Sequence, residues 1–134
     1  MKLATVGKGG SGKTTIAGTL ARIFAEEGDA ILAIDGDPNP NLALTLGMSR
    51  AEADKITYIP PTIMRLVKDS NGESFVEPTL PTSDIMQQYA SKVADTIDLI
   101  VMGKPEHGTA GVGCMCGSHR AVSCLLYTSD AADE

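Results

Sequence analysis

The sequence predicts an α/β protein with an open, mostly parallel sheet and helices on both faces. Three observations support this class. Short apolar segments at residues 2–6, 30–34 and 97–102 are typical of buried strands. A glycine-rich loop directly follows the first segment, and residues 13–27 then have helical apolar spacing. The chain of 134 residues fits one domain.

The first half of the chain predicts one right-handed βαβ unit with a parallel strand pair. Its first strand is residues 2–6, and its helix covers residues 13–27 and ends at Gly28. Its second strand, residues 30–34, ends at Asp35. One face of the helix carries the side chains expected to be buried, namely Ile16, Leu20, Ile23 and Phe24.

The second half of the chain has weaker signals. They predict a short helix at 41–46, a helix-like piece at 62–68, a helix at 83–94 capped by Ser83, a buried strand at 97–102 and a glycine-rich loop at 103–117. We assign no function to residues 47–82.

Charge and hydropathy exclude some classes of protein. The net charge of −6 argues against nucleic acid as a general electrostatic partner. No apolar run is long enough for a transmembrane helix, and residues 1–6 lack the pattern of a signal peptide. We therefore expect a cytoplasmic protein with reduced thiols and no membrane segment.

The glycine-rich loop satisfies the pattern G-x-x-x-x-G-K-[ST] through Gly7, Gly12, Lys13 and Thr14. Glycines allow backbone N–H groups to converge on a polyphosphate, and the following helix N-terminus adds further donors. Lys13 is expected to neutralise the β- and γ-phosphates, and the Thr14 hydroxyl to ligate Mg²⁺. The predicted phosphate-binding residues are Gly9, Gly10, Ser11, Gly12, Lys13, Thr14 and Thr15. The alternative is a plain glycine turn, which gives no packing reason for Gly-Lys-Thr-Thr.

Two carboxylates follow the second predicted strand. Asp35 and Asp37 lie in "AIDGDPNPN", at the carboxyl end of a strand, where ligands bind in parallel sheets. Asp-Gly and Asp-Pro also make ordinary turns. The neighbouring phosphate loop favours a catalytic interpretation.

Lys8 extends the loop to K-G-G-x-G-K-T-T. This pattern resembles the deviant Walker A ATPases, which include septum-site and partition ATPases, the arsenite-pump ATPase and the nitrogenase iron protein. The resemblance implies ATP, Mg²⁺ and a homodimer in which Lys8 reaches the partner's nucleotide. It also implies that Asp37 orients the attacking water and contacts the Mg²⁺ shell, with Asn41 as a second polar residue nearby. The alternative for Lys8 is a solvated loop lysine.

A C-x-C pair, Cys114 and Cys116, lies in the last glycine-rich loop. Thiols at i and i+2 point the same way in extended backbone and supply half of a tetrahedral site. A symmetric dimer would bring four sulfurs together. Two buried hydrophobes or a redox pair are the alternatives.

The segments "VMGKPE", "GCMCGSH" and "DGDPNPNLALTLG" resemble the nickel-insertion ATPases that mature carbon monoxide dehydrogenase. The resemblance implies nickel or zinc at Cys114 and Cys116, with His119 and then His107 as weaker candidates. The implied function is an ATP-driven metallochaperone with a client metalloenzyme. The alternatives are a partition or septum-type ATPase acting on membrane or DNA, and an iron–sulfur electron-donating ATPase.

The resemblance covers residues 1–123, predicted to be the N-terminal part of a P-loop ATPase domain. Residues 124–134, "CLLYTSDAADE", resemble the conceptual translation of a sequencing-library adapter, so we expect a non-native tail there. Family members are roughly twice as long, and the switch II and adenine-binding segments have no counterpart here. We therefore expect this chain alone to fold poorly and not to hydrolyse ATP.

Overall fold

The computed structural model describes residues 1–37 and 39–102. In chain order its elements are α1 (Lys13–Glu26), β1 (Ile31–Asp35), α2 (Leu42–Thr45), α3 (Arg50–Ala53), a 3₁₀ turn (Pro61–Ile63), β2 (Met64–Lys68), β3 (Ser74–Pro78), α4 (Thr82–Tyr89), β4 (Ser91–Ala94) and β5 (Ile97–Val101). No helix in these ranges has the length and apolar character needed to cross a membrane.

The main sheet has three strands in the order β1-β5-β4. β1 and β5 pair in parallel, with Ile31 opposite Ile97 and Asp35 opposite Val101. β4 pairs antiparallel with β5, and β2 and β3 form a separate antiparallel hairpin. The α/β class with parallel strand pairing is therefore confirmed.

Both faces of the parallel pair are covered, as their mostly apolar sequences predict. Successive side chains alternate between the two faces. On one face Ala33, Leu99 and Val101 form a core cluster with residues of α1 and α2. On the other face Ile100 packs with Ile85 of α4 and with the loop residues before β2. The sheet is thus a layer between two groups of helices and loops.

Helix α1 has the predicted position, but its buried face differs from the predicted one. Ile16 and Ile23 are 52% and 44% exposed. The side that packs on the sheet carries small residues: Ala17, Gly18, Ala21 and Ala25. A Cβ at Gly18 would lie only 2.5 Å from Thr45 Cγ2, so α1 and α2 approach more closely than a face of large side chains allows. In α1 the close approach to α2, and not the position of the larger apolar side chains, decides which face is buried.

The predicted first strand is wrong. Residues 2–6 form no strand, and Leu3 and Val6 are 58% and 85% exposed. The parallel partner of β1 is β5 and not this segment. A short apolar sequence becomes a strand only where a neighbouring strand completes its backbone hydrogen bonds, and within residues 1–37 and 39–102 no strand is paired with this segment.

Two helix predictions in the second half also need correction. Residues 62–68 contain the end of the 3₁₀ turn and the whole of β2. They are extended because a second turn, stabilised by hydrogen bonds to the Asp69 carboxylate, folds β3 back against β2. The predicted helix 83–94 ends at Tyr89, since Ala90 is extended and residues 91–94 pair with β5. Pro81, not Ser83, occupies its N-cap position. The predictions at 41–46 and 97–102 are confirmed by α2 and β5.

The contact between Gly18 and Thr45 gives a stability test. Gly18→Ala gains about 1 kcal/mol of helix propensity, but overpacking costs about 1–3 kcal/mol. We expect a net loss of about 1 kcal/mol in the free energy of unfolding, measured by urea denaturation. Thr45→Ser removes Cγ2 and keeps the hydroxyl that donates to the Asn41 carbonyl. It should therefore restore stability in the double variant.

Thr45→Ser alone is the control for this double-mutant cycle. A Gly18→Ala protein more stable than the wild type would contradict the close packing.

Candidate functional site

The glycine-rich loop leads into α1 through two residues in the left-handed region. Gly10 and Gly12 have φ of 75° and 82°, which favour glycine because it lacks a Cβ. Gly12 is the N-cap of α1 and offers no side chain to the first helical N–H groups. Those groups have no acceptor within a helix. The loop therefore presents backbone donors where an anion would lie.

Lys13 folds back over this loop. Its Nζ donates a hydrogen bond of 2.8 Å to the Lys8 carbonyl oxygen, and the Ser11 N–H donates to the same carbonyl at 3.3 Å. Lys13 and Thr14 are half-buried, whereas Lys8 and Thr15 are exposed. The ammonium of Lys13 is thus held against the loop, and the side chain of Lys8 remains accessible to a partner.

The second group of predicted site residues follows β1. Asp35 is 7% exposed, and its carboxylate accepts hydrogen bonds from the N–H groups of Asp37, Asn41 and Leu42. Asp37 is exposed, and its Oδ1 accepts from the Asn39 N–H at 2.9 Å. The Asn41 side chain donates to the Asn39 carbonyl oxygen at 2.9 Å. The two carboxylates of the D-x-D sequence therefore have different environments.

The chain path places the loop and Asp37 at the same edge of the sheet. Only residues 27–30 connect α1 to β1, and the two elements are in contact, so the chain doubles back. The start of α1 therefore lies at the edge where β1 ends. α2 begins after the Asp37 loop and packs on α1 at Gly18. The carboxyl end of a parallel strand is the expected ligand site of such sheets.

The predicted metal ligands of the second half lie outside the described residues. These are Cys114, Cys116, His119 and His107. Among residues 1–37 and 39–102, no cluster of three or more His, Cys, Asp or Glu side chains is arranged to hold a metal ion.

A small cavity lies beside the site. It has a volume of about 50 Å³ and is lined by residues that include Asp35, Pro40, Arg50 and Tyr58. That volume suits one or two water molecules. This cavity is too small for a nucleotide.

Two residues that organise the site were not identified from the sequence. The sequence pattern pairs Asp35 with Asp37 as candidate catalytic residues, and it assigns no role to Gly18. The burial of Asp35 depends on α2 folding over it, which no local pattern records. Glycine inside a helix is itself a signal of close packing.

Comparison with known proteins agrees with this geometry. Residues 2–121 match the family model described as the CobQ/CobB/MinD/ParA nucleotide binding domain. The carbon monoxide dehydrogenase accessory protein CooC of Rhodospirillum rubrum is 38% identical over 133 residues, which cover 94% of this chain and 48% of that protein. An uncharacterized ATP-binding protein of Methanocaldococcus jannaschii is 35% identical over 124 residues, 87% of this chain and 44% of that protein.

The chain spans slightly less than half the length of these relatives. The family match covers the glycine-rich loop, α1 and the Asp37 loop together. It confirms the resemblance found from the K-G-G-x-G-K-T-T pattern. The chain therefore belongs to the CobQ/CobB/MinD/ParA nucleotide-binding domain family of P-loop ATPases.

Proposed function

We propose that this chain is the N-terminal part of a dimeric, ATP-hydrolysing metallochaperone that helps insert nickel into a metalloenzyme such as a carbon monoxide dehydrogenase. The observation that carries the proposal is the glycine-rich loop with Lys13 folded over it and Lys8 left exposed. The accessory role is supported by similarity to the carbon monoxide dehydrogenase accessory protein and by the C-x-C pair. We place the protein in the cytoplasm.

The phosphate loop supplies most of the binding energy in this proposal. Backbone N–H groups of residues 9–15 surround the polyphosphate of ATP, and Lys13 exchanges its bond to the Lys8 carbonyl for the β- and γ-phosphates. This exchange replaces a neutral acceptor by an anionic one, which strengthens the hydrogen bond. Nucleotide binding therefore frees the Lys8 segment from Lys13.

The residues present fit a Mg²⁺ ion held with the nucleotide. Thr14 offers a hydroxyl in the first turn of α1, and Asp37 offers an exposed carboxylate with one oxygen bonded to Asn39. Both are hard oxygen ligands of the kind that Mg²⁺ prefers. The ion, when bound, neutralises charge on the phosphates.

Asp37 and Lys8 complete the hydrolytic step. A water attacks the γ-phosphorus, and the bond to the β–γ bridging oxygen breaks as ADP leaves. The Asp37 carboxylate accepts a hydrogen bond from that water and orients it. Lys8 of the partner subunit stabilises the developing negative charge, which couples hydrolysis to dimerisation.

Nickel or zinc is the cargo, held by Cys114 and Cys116 of both subunits.

Lys13→Ala tests the nucleotide site. Loss of a hydrogen bond between charged groups costs about 1.5–3 kcal/mol, so we expect ATP affinity to fall by about 100-fold at the upper end of that range. Titration of the full-length protein with a fluorescent ATP analogue measures it.

Lys92→Ala is the matched control, because Lys92 is an exposed lysine on β4 that pairs with Asp98. Retained ATP affinity in Lys13→Ala would refute the assignment of the loop.

Lys8→Ala separates dimerisation from binding. We expect ATP affinity to stay within about twofold, because a cation acting from the partner subunit adds little to binding by the monomer. The ATP-dependent dimer, measured by sedimentation velocity with a non-hydrolysable analogue, should dissociate more readily. Lys55→Ala, another exposed lysine, is the control. Normal dimerisation of Lys8→Ala would make Lys8 an ordinary surface lysine.

Cys114→Ser with Cys116→Ser tests the cargo site. We expect the full-length wild-type dimer to bind one Ni²⁺ or Zn²⁺ per two chains and the variant to bind none, because serine hydroxyls are poor ligands for these ions. Metal content by mass spectrometry after gel filtration measures this. Met115→Leu, between the two cysteines, is a volume-matched control.

Unchanged metal binding in the double-serine variant would exclude the metallochaperone and favour a partition or septum-type ATPase, which the family description includes. A brown chromophore after anaerobic purification would favour the iron–sulfur alternative.

A further inference from the structure

Asp35 is the one charged side chain that is buried among residues 1–37 and 39–102. Its Oδ1 accepts from the Asp37 N–H at 3.1 Å. Its Oδ2 accepts from the N–H groups of Asn41 and Leu42 at 3.0 and 2.9 Å. A buried carboxylate with three N–H donors is well compensated for the loss of water.

These bonds make Asp35 the cap of α2. Asn41 is the N-cap residue of that helix, but its side chain makes no capping hydrogen bond. The carboxylate of Asp35, six residues earlier in the chain, accepts from the N-cap N–H and from the first helical N–H instead. One side chain therefore ties the backbone of Asp37, Asn41 and Leu42 to the end of β1.

The backbone of Asp35 is fixed by the sheet. Its carbonyl oxygen accepts from the Met102 N–H at 2.9 Å, and the Ile59 N–H donates to the adjacent Val101 carbonyl at 2.9 Å. Asp35 also lies in parallel register with Val101. The loop that carries Asp37 is thus tied to the most buried strand of the protein.

The hydrogen bonds of the two carboxylates separate their roles. A carboxylate has about four acceptor positions, and Asp35 uses three of them on backbone N–H groups inside the protein. Asp37 is exposed, and in the described part of the chain only its Oδ1 is engaged. Asp37 can therefore face a water or a metal ion, whereas Asp35 is committed to the backbone.

We propose that Asp35 is the positioning residue for Asp37: it holds the loop so that the Asp37 carboxylate stays at the nucleotide site, and it touches neither metal nor water itself. This inference rests on the proposed ATP hydrolysis. It assigns the two acidic residues of the D-x-D sequence to different tasks.

A double-mutant cycle in the full-length protein tests the coupling. Asp35→Asn keeps the side-chain volume but replaces one acceptor oxygen by an amide that cannot accept. We expect kcat to fall about 10- to 100-fold, because small misplacements of a catalytic group have effects of that size. KM for ATP should change less than about twofold, whereas the Mg²⁺ concentration for half-maximal rate should rise, because the displaced Asp37 carboxylate is a proposed Mg²⁺ ligand. In an Asp37→Asn background, Asp35→Asn should cause no further loss.

Additive losses in the double variant would overturn the proposal, because Asp35 would then act independently of Asp37. Asp98→Asn is the matched control, since Asp98 lies on neighbouring β5 and pairs with Lys92 at the surface. Asp35→Glu keeps the charge but displaces the carboxylate by one methylene. Full activity in Asp35→Glu would also overturn the proposal.

Hydrogen exchange separates this inference from the proposed function. The amides of Asp37, Asn41 and Leu42 should exchange at least about tenfold faster in Asp35→Asn, while those of Leu99 and Val101 stay protected. Unchanged exchange at the three loop amides would overturn the positioning role. If Asp35→Asn speeds exchange at those amides but the wild-type protein has no ATPase activity, the role of Asp35 in closing the loop is upheld and the hydrolytic function is rejected.

Discussion

The parallel pairing of β1 with β5 is the constraint on which the rest of the structure depends. It aligns the two strands from Ile31 and Ile97 to Asp35 and Val101, so both end at one edge. Its two faces bury separate core clusters, one under α1 and α2 and one under α4. Without this pairing neither cluster has a sheet to pack against, and the end of β1, where the Asp37 loop starts, is not held in place.

Two small features convert this edge into a site. Gly18 lets α2 lie directly on α1, and Asp35 caps α2 from the end of β1. The Gly18 contact joins α2 to α1, which follows the phosphate loop. The Asp35 cap joins α2 to β1, which precedes the Asp37 loop. Together they connect the two loops through α2. The candidate site is therefore organised by packing behind it, in the layer between α1 and the sheet.

Much of this could be predicted from local sequence. Glycine positions bracket α1, and the continuous apolar runs of β1 and β5 identify them as buried strands. The phosphate loop is also local, because its geometry depends on glycines and on the helix that follows. The failures are non-local. In the described ranges no strand pairs with residues 2–6, and residues 64–68 gain a paired strand only when β3 folds back. The burial of Asp35 likewise depends on residues 41 and 42.

Asp35 and Asp37 show why spacing alone could not divide their roles. Burying a carboxylate costs several kcal/mol, which hydrogen bonds to a charged group, each worth about 1.5–3 kcal/mol, can offset. Asp35 meets that condition with three N–H donors, and in doing so it commits three of about four acceptor positions to the backbone. The Asp37 carboxylate stays exposed to solvent, so it can contact a Mg²⁺ ion or orient a water molecule. The same residue type two positions apart is thus enclosed by backbone donors at Asp35 and open to solvent at Asp37.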